Sequence, residues 1–259
     1  MSFIKRMLAS VGIGSAKVDT VLEKSAYYPG ETVRGKVYIQ GGDIEQQIDR
    51  IYLHLMTEYI RKRGDDKVRE RGMIASFPIS EPLMLTPTEK KEIPFSFELP
   101  LETPMTIYRT KVWVHTGLDI KSSIDPSDHD DLTILEHPII LKIRKAIASI
   151  GFYQTSVEQV YLPPNRYTKF PVAQEFEYKP TGNFAAVLDE IEIIYFIQED
   201  GLQMLVELDK RNRGLFGAVL DSLEMDEKII QVTLTNDDLK QDIDSIGNML
   251  KDMIHSHIQ

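Results

Sequence analysis

Four carboxylates fall within seven residues at Asp125, Asp128, Asp130 and Asp131, inside the stretch TKVWVHTGLDIKSSIDPSDHDD (Thr110–Asp131). Hard divalent cations take several oxygen ligands, so closely spaced aspartates could hold calcium or magnesium. The EF-hand pattern is not met, because Asp130 stands where its sixth position needs glycine. The plainer reading has Asp125 and Asp128 capping turns through backbone N–H groups, with the other carboxylates in solvent. A second basis for metal chemistry is His255-x-His257. Imidazoles suit transition metals, but residues two apart on a helix point apart. His54 and His115 fall in strand-like stretches, where packing or hydrogen bonding is a histidine's usual fate. No spacing joins them into a catalytic set.

Lys210, Arg211 and Arg213 surround Asn212 in a basic turn. Guanidinium pairs well with phosphate, which makes this turn a candidate anion or phosphoprotein contact. A charged hairpin turn is the simpler account. Glu190 and Glu192 share one strand face, where exposure to solvent is expected. Nucleotide and acyl chemistry fail on pattern. Gly12-Ile13-Gly14 is followed by Lys17 where a dinucleotide loop needs glycine, and neither GxxxxGK[S/T] nor GxSxG occurs. The sequence therefore offers no catalytic residues and no cofactor site, and the chain is not expected to be an enzyme.

The chain has 259 residues, a formal net charge of −10 at pH 7 and no cysteine. That length accommodates two domains of ordinary size. The acidic balance opposes binding to duplex nucleic acid or to an anionic membrane, since both need a basic footprint. Without cysteine there is no disulfide, thiol catalysis or thiolate metal site, and the expected compartment is the cytoplasm. No apolar run reaches the roughly 18 residues that a spanning helix needs. Phe3, Ile4, Met7, Leu8 and Val11 lie at helical spacing. They predict an amphipathic helix over residues 1–16, which either docks on the body or touches a membrane peripherally.

The elements that must position these residues are mostly strands. Val18–Tyr28 reads as one strand, followed by the turn Pro29-Gly30-Glu31 and the alternating strand Thr32–Gln40. Gln47–Arg61 reads as a long strand, and the charged run Arg61–Arg71 as a hairpin tip. Lys91–Leu99 alternates around Pro94, which suits an edge strand. Val112, Val114 and Thr116 oppose Trp113 and His115; the pattern then dissolves into Asp, Ser and Pro, which predicts a loop over 125–131. His137–Gly151 carries isoleucines at spacings of three and four and reads as a linking helix. Val157–Tyr161, Glu175–Tyr178, Ala186–Gln198, Leu202–Leu208 and Lys228–Leu234 restart the strand pattern. Thr235 or Asn236 then caps a last helix with Leu239, Ile243, Ile246, Leu250 and Ile254 on one stripe. That stripe either packs on its own domain or pairs with a second copy.

Several strings share an order and spacing with one family. They are the opening SVGIGSAKVDTVLEKSAYYPGETVRGKVYIQGG, the pair TxLDI (Thr116, Leu118, Asp119, Ile120) and DPSDxD (Asp125 to Asp130), and the later QEFEYKP, EIEIIYF and LDKRNRGL. Together they resemble the bacterial sporulation-control protein M family, whose fold is arrestin-like. The resemblance implies a mainly β chain of two arrestin-like β-sandwich domains. The expected layout is an N-terminal helix over 1–16, a sandwich over 17–136, a linker helix over 137–151, a second sandwich over 152–235 and a C-terminal helix over 236–259. It also implies a non-enzymatic scaffold that acts in control of an early stage of sporulation. Its partners would be proteins, with a homodimer through an open strand edge as a further expectation. Asp125, Asp128, Asp130, Lys210, Arg211 and Arg213 are the candidate partner contacts. The alternative is a ligand or divalent-cation sensor built on residues 125–131.

Overall fold

The computed structural model describes residues 16–64, 66–120, 125–210 and 229–258. The leader helix expected over 1–16 lies outside the described residues except for Ala16, whose N–H donates to Gln46 Oε1 at 3.0 Å. The chain is mainly β and divides into two compact units. The first holds residues 1–57, 71–106 and 111–135, and the second holds 58–70, 107–110 and 136–259. The tip of the long charged hairpin and the short turn at 107–110 thus group with the C-terminal half.

Along the chain, the strands of the first unit begin with β1 (Lys17–Leu22), β2 (Ala26–Tyr27), β3 (Thr32–Gln40) and the start of β4 (Gln46–Arg63). The end of β5 (Asp66–Pro78) follows, then β6 (Leu83–Leu85), β7 (Lys90–Glu98), β8 (Val112–Ile120) and β9 (Ser127–Ile134). One antiparallel sheet has the order β1-β3-β7, so β7 and its Pro94 lie at an edge, as the proline requires. The other contains β4-β8-β9-β2, with β5 and β6 also paired to β4. Strict alternation buries Val33, Val37 and Ile39 of β3 and exposes their neighbours. The opposing rows are Ile51, Leu53 and Leu55 of β4 and Val112, Val114 and Leu118 of β8. Phe77 stacks on Phe97 at 4.2 Å, and Thr20 Oγ1 meets Thr116 Oγ1 at 2.7 Å, closing the two sheets on each other.

The single strand expected over Val18–Tyr28 is interrupted. Glu23 N–H still reaches Arg34 O at 2.9 Å, and Ala26 and Tyr27 then pair in parallel with Thr133 and Ile134 of β9. The turn after β2 is as the sequence predicts. Gly30 has φ +83° and Glu31 N–H donates to Tyr28 O at 3.0 Å, a type II arrangement with proline second and glycine third.

The second unit begins with α1 (Pro138–Ser149) and β10 (Phe152–Tyr161). It continues with β11 (Val172–Pro180), β12 (Leu188–Gln198), β13 (Gly201–Lys210), β14 (Ile229–Thr235) and α2 (Ile243–Ile258). The five strands run antiparallel in chain order, and Val160 of β10 pairs in parallel with Ile60 at the far end of β4. α1 packs on α2 and on β10, burying Ile143, Ala146 and Ile147 against Ile246, Leu250 and Ile254. The helices meet at Gly247, where a Cβ would lie 2.7 Å from Ser149 Oγ. The C-terminal stripe therefore docks on its own chain. The start of α2 differs from expectation. Thr235 engages Asp238 Oδ2 and opens a 3₁₀ turn at Asp238–Lys240. Asp242 Oδ1 caps the helix itself, accepting from Ser245 N–H at 2.7 Å. No helix among the described residues is long and apolar enough to cross a membrane.

Candidate functional site

The segment expected to be a polar loop is a strand. β9 pairs antiparallel with β8 from Val112↔Leu132 to Gly117↔Ser127. Alternation then sends Asp128 and Asp130 inward with Leu132 and Ile134, and His129 and Asp131 outward. The inward carboxylates have local compensation. Thr20 N–H of β1 donates to Asp128 Oδ2 at 2.6 Å. Asp125, just before the strand, caps Ile120 N–H through Oδ1 at 2.9 Å. Asp125 and Asp128 are thus backbone-capping groups, although the backbone that Asp128 serves is far away in sequence. Asp130 is the strained member: its Oδ2 is buried without a partner. Burial, then the charge of Asp128, a hydrogen bond to it and the charge of Asp19, push its pKa up to about 6. With the carboxylates split between two faces, no three His, Asp or Glu side chains among the described residues converge on a cation position.

The outer face of the same sheet collects the histidines. His54 of β4 stands directly opposite His115 of β8, and His115 opposite His129 of β9. The His54 and His115 rings stack with centroids 6.2 Å apart. His129 instead stacks on Trp113 at 5.2 Å and meets Asp131 Oδ1 through Nε2 at 3.0 Å. Burial first, then the neighbouring His115, hold the pKa of His54 below the usual histidine range. The other sequence candidates do not assemble. His255 packs edge-on against Phe184 at 4.8 Å. His257 Nδ1 lies 2.8 Å from Met253 O, so this pair points apart as helical spacing requires. Lys210 closes β13 opposite Leu188, while Arg211 and Arg213 lie outside the described residues.

The second unit carries a carboxylate face, of which the sequence reading placed Glu190 and Glu192 in solvent. Glu177 of β11, Glu192 of β12 and Glu207 of β13 stand opposite one another in a row. Glu158 faces Glu175 on one flank, and Glu190 faces Asp209 on the other. Like charges at cross-strand distance cannot all ionise freely. Burial, then the charge of Glu192, push Glu175 up to about 8. Burial, then Glu177, push Glu190 to about 7. Glu177 stays below the ordinary carboxylate value: burial pushes it up, but hydrogen bonds from Thr155 and Ser156 more than offset this.

The likeness to known proteins extends over the whole chain. Residues 4–212 match the sequence profile of the SpoOM protein family. The sporulation-control protein spo0M of Bacillus subtilis (strain 168) is 39% identical over 262 residues, spanning the full length of both chains. The chain belongs to the SpoOM protein family. A crystal structure of Spo0M from Bacillus subtilis superposes with a TM-score of 0.84 at 37% identity, covering 95% of this chain and all of that one.

Of the strings that carried the family resemblance, LDKRNRGL beyond Lys210 and the opening string before Ala16 lie outside the described residues, and the others form strands and their ends. TxLDI is the inward-facing end of β8, with Thr116, Leu118 and Ile120 buried. QEFEYKP lies in β11 and EIEIIYF in β12. Sequence reasoning missed the histidine row and the carboxylate row because each is assembled by register between strands. The only available signal was the shared outward parity of His54 and His115 within their own strands. It also missed Tyr108, which has φ +54° and is 71% exposed. Tyr108 sits with Arg69, Arg109 and Gln159 around a hollow of about 220 Å³ in the second unit.

Proposed function

We propose that this SpoOM protein is a non-enzymatic interaction protein of the cytoplasm that acts in control of an early stage of sporulation. The observation that carries the reading is the full-length, 39% identical match to a sporulation-control protein. Contact with protein partners is the mode that the surfaces support. Among the described residues β5 pairs only with β4 and β14 only with β13. Such edges present unpaired backbone groups to an added strand, from a partner or from a second copy. Beside one end of β5, Tyr108 and Arg109 supply the aromatic and guanidinium groups that dominate protein contacts.

The test is affinity purification from sporulating cells, with the wild type beside Tyr108→Ser and Arg109→Glu. A partner that co-purifies with the wild type and is depleted in either variant is the expected result. Deleting the gene should change the timing or frequency of spore formation. Unchanged sporulation in the deletion strain would sink the proposal.

A further inference from the structure

Among the described residues neither His54 nor His115 makes an ion pair or hydrogen bond, and His54 Nδ1 is buried without a partner. Their rings lie 14° from parallel with centroids 6.2 Å apart. Beside them is a hollow of about 460 Å³, lined by Tyr52, Gly117, Asp119 and Asp125 as well as the two imidazoles. Gly117 keeps it open: a Cβ built there meets nothing within 4 Å. Neighbouring His129 is already committed to Trp113 and Asp131.

We propose that His54 and His115 form a two-imidazole site for a divalent transition ion of tetragonal preference, copper(II) or nickel(II). Imidazole is the side chain these ions favour among nitrogen and oxygen donors. A metal–nitrogen bond of about 2.0–2.1 Å puts each ring centroid roughly 3.2 Å from the ion, so two rings trans to each other, as in a tetragonal copper(II) or nickel(II) site, stand roughly 6.4 Å apart, whereas a tetrahedral ion would draw them to roughly 5.2 Å. The observed separation of 6.2 Å matches the trans arrangement. Rotation about χ2, a broad torsion for histidine, is needed to aim one nitrogen of each ring at a common point, and it takes His54 off Tyr52, on which it stacks at 5.4 Å. The opposite placement on β4 and β8 holds the two Cα atoms in register. With only two protein ligands the ion keeps open positions, filled by water or by a group entering the hollow. The site therefore binds reversibly instead of serving as a structural metal centre.

Trp113, the only tryptophan, lies on the same outward face two residues before His115 and reports on the site. Full-length protein is titrated with copper(II) and nickel(II) while Trp113 fluorescence and binding heat are followed. Saturable binding of one ion per chain with tryptophan quenching is expected. His54→Gln and His115→Gln should each weaken it by at least about tenfold, as loss of even an outer-shell partner can. His255→Gln with His257→Gln should leave it unchanged. Undiminished binding in either strand variant, loss of binding in the C-terminal pair, or no saturable binding at all would overturn the proposal. Thermal melts with EDTA establish that each variant is folded. If His54→Gln does not fold, ¹⁵N imidazole resonances of the wild type decide. Broadening of His54 and His115 on adding substoichiometric copper(II), with none at His255 and His257, supports the site, and unbroadened His54 and His115 resonances overturn it.

Discussion

Asp130 allows a quantitative test of the inward carboxylate pair. Its pKa is raised from 3.8 to about 6, with burial the largest cause, followed by Asp128. A carboxyl whose folded pKa lies above its unfolded value binds more protons in the folded state. Its contribution to stability is therefore fully present below the unfolded pKa and is lost as pH rises towards 6. At 1.36 kcal/mol per tenfold change in proton affinity, the full displacement would correspond to about 3 kcal/mol. Asp130 is only partly buried, and solvent screening reduces the expected effect to roughly 1 kcal/mol. Asp130→Asn keeps a donor for Asp128 and removes the ionisation. At pH 7 it should raise the melting temperature by about 2–4 °C, as expected for roughly 1 kcal/mol in a chain of this size, and the gain should vanish near pH 4. Melts of both proteins, followed by Trp113 fluorescence between pH 4 and pH 8, give the difference directly and cancel the titrating groups that do not interact with Asp130. Millimolar calcium should shift neither melt, because Asp125 and Asp128 already serve backbone N–H groups. Destabilisation by Asp130→Asn at pH 7, or a calcium-dependent rise seen only in the wild type, would refute the reasoning and restore the cation-sensor reading.

Two further perturbations probe the second unit. Glu175→Gln removes a strongly displaced carboxyl of the carboxylate face, raised to about 8 by burial and then by Glu192. The wild type loses stability as pH rises from the ordinary carboxylate range towards 8, so the variant should be the more stable protein at pH 8.5 and close to the wild type at pH 4.5, as read by urea melts. Gly247→Val forces side-chain atoms into Ser149 Oγ and Ala146 O, which a Cβ alone would approach to 2.7 Å and 3.1 Å. Overpacking of this kind costs about 1–3 kcal/mol, and adding Ser149→Ala should recover part of the loss in thermal denaturation.

What the sequence made legible is what local burial dictates. β3 could be read residue by residue because every second side chain is buried. α1 and α2 announced themselves through isoleucines and leucines at spacings of three and four. β9 could not be read this way. Aspartate disfavours strands, and the DPSDHDD string contains no apolar alternation until Leu132. Its extended form depends on pairing with β8 and on Thr20 N–H, supplied by a strand 108 residues away in the chain. The cap of α2 was misplaced for a related reason. Thr235 and Asn236 are good capping residues, but Asp238 engages Thr235 in a separate turn, and Asp242 is left to cap the helix.

The histidine pair and the aspartate pair follow from one cause, which no single strand displays. β4 and β8 pair as Ile51↔Leu118, Leu53↔Thr116 and Leu55↔Val114, with all six side chains buried. A slip of one residue would turn Trp113 and His115 into the core and expose the inward row, at a cost of several buried aliphatic side chains. The register is therefore fixed by burial alone. Once it is fixed, His54 must oppose His115 on the outer face. The neighbouring register must likewise set Asp128 beside Thr116, and Asp130 beside Val114, on the inner one. The apolar row needs neither polar pair in order to form, and each pair carries a cost: an unpartnered Nδ1 at His54 and an unpartnered Oδ2 at Asp130. Two buried polar atoms left open on opposite faces of three well-packed neighbouring strands are difficult to explain by folding alone. A proton held by Asp130 relieves the inner one, and a metal ion shared by the two imidazoles would relieve the outer one.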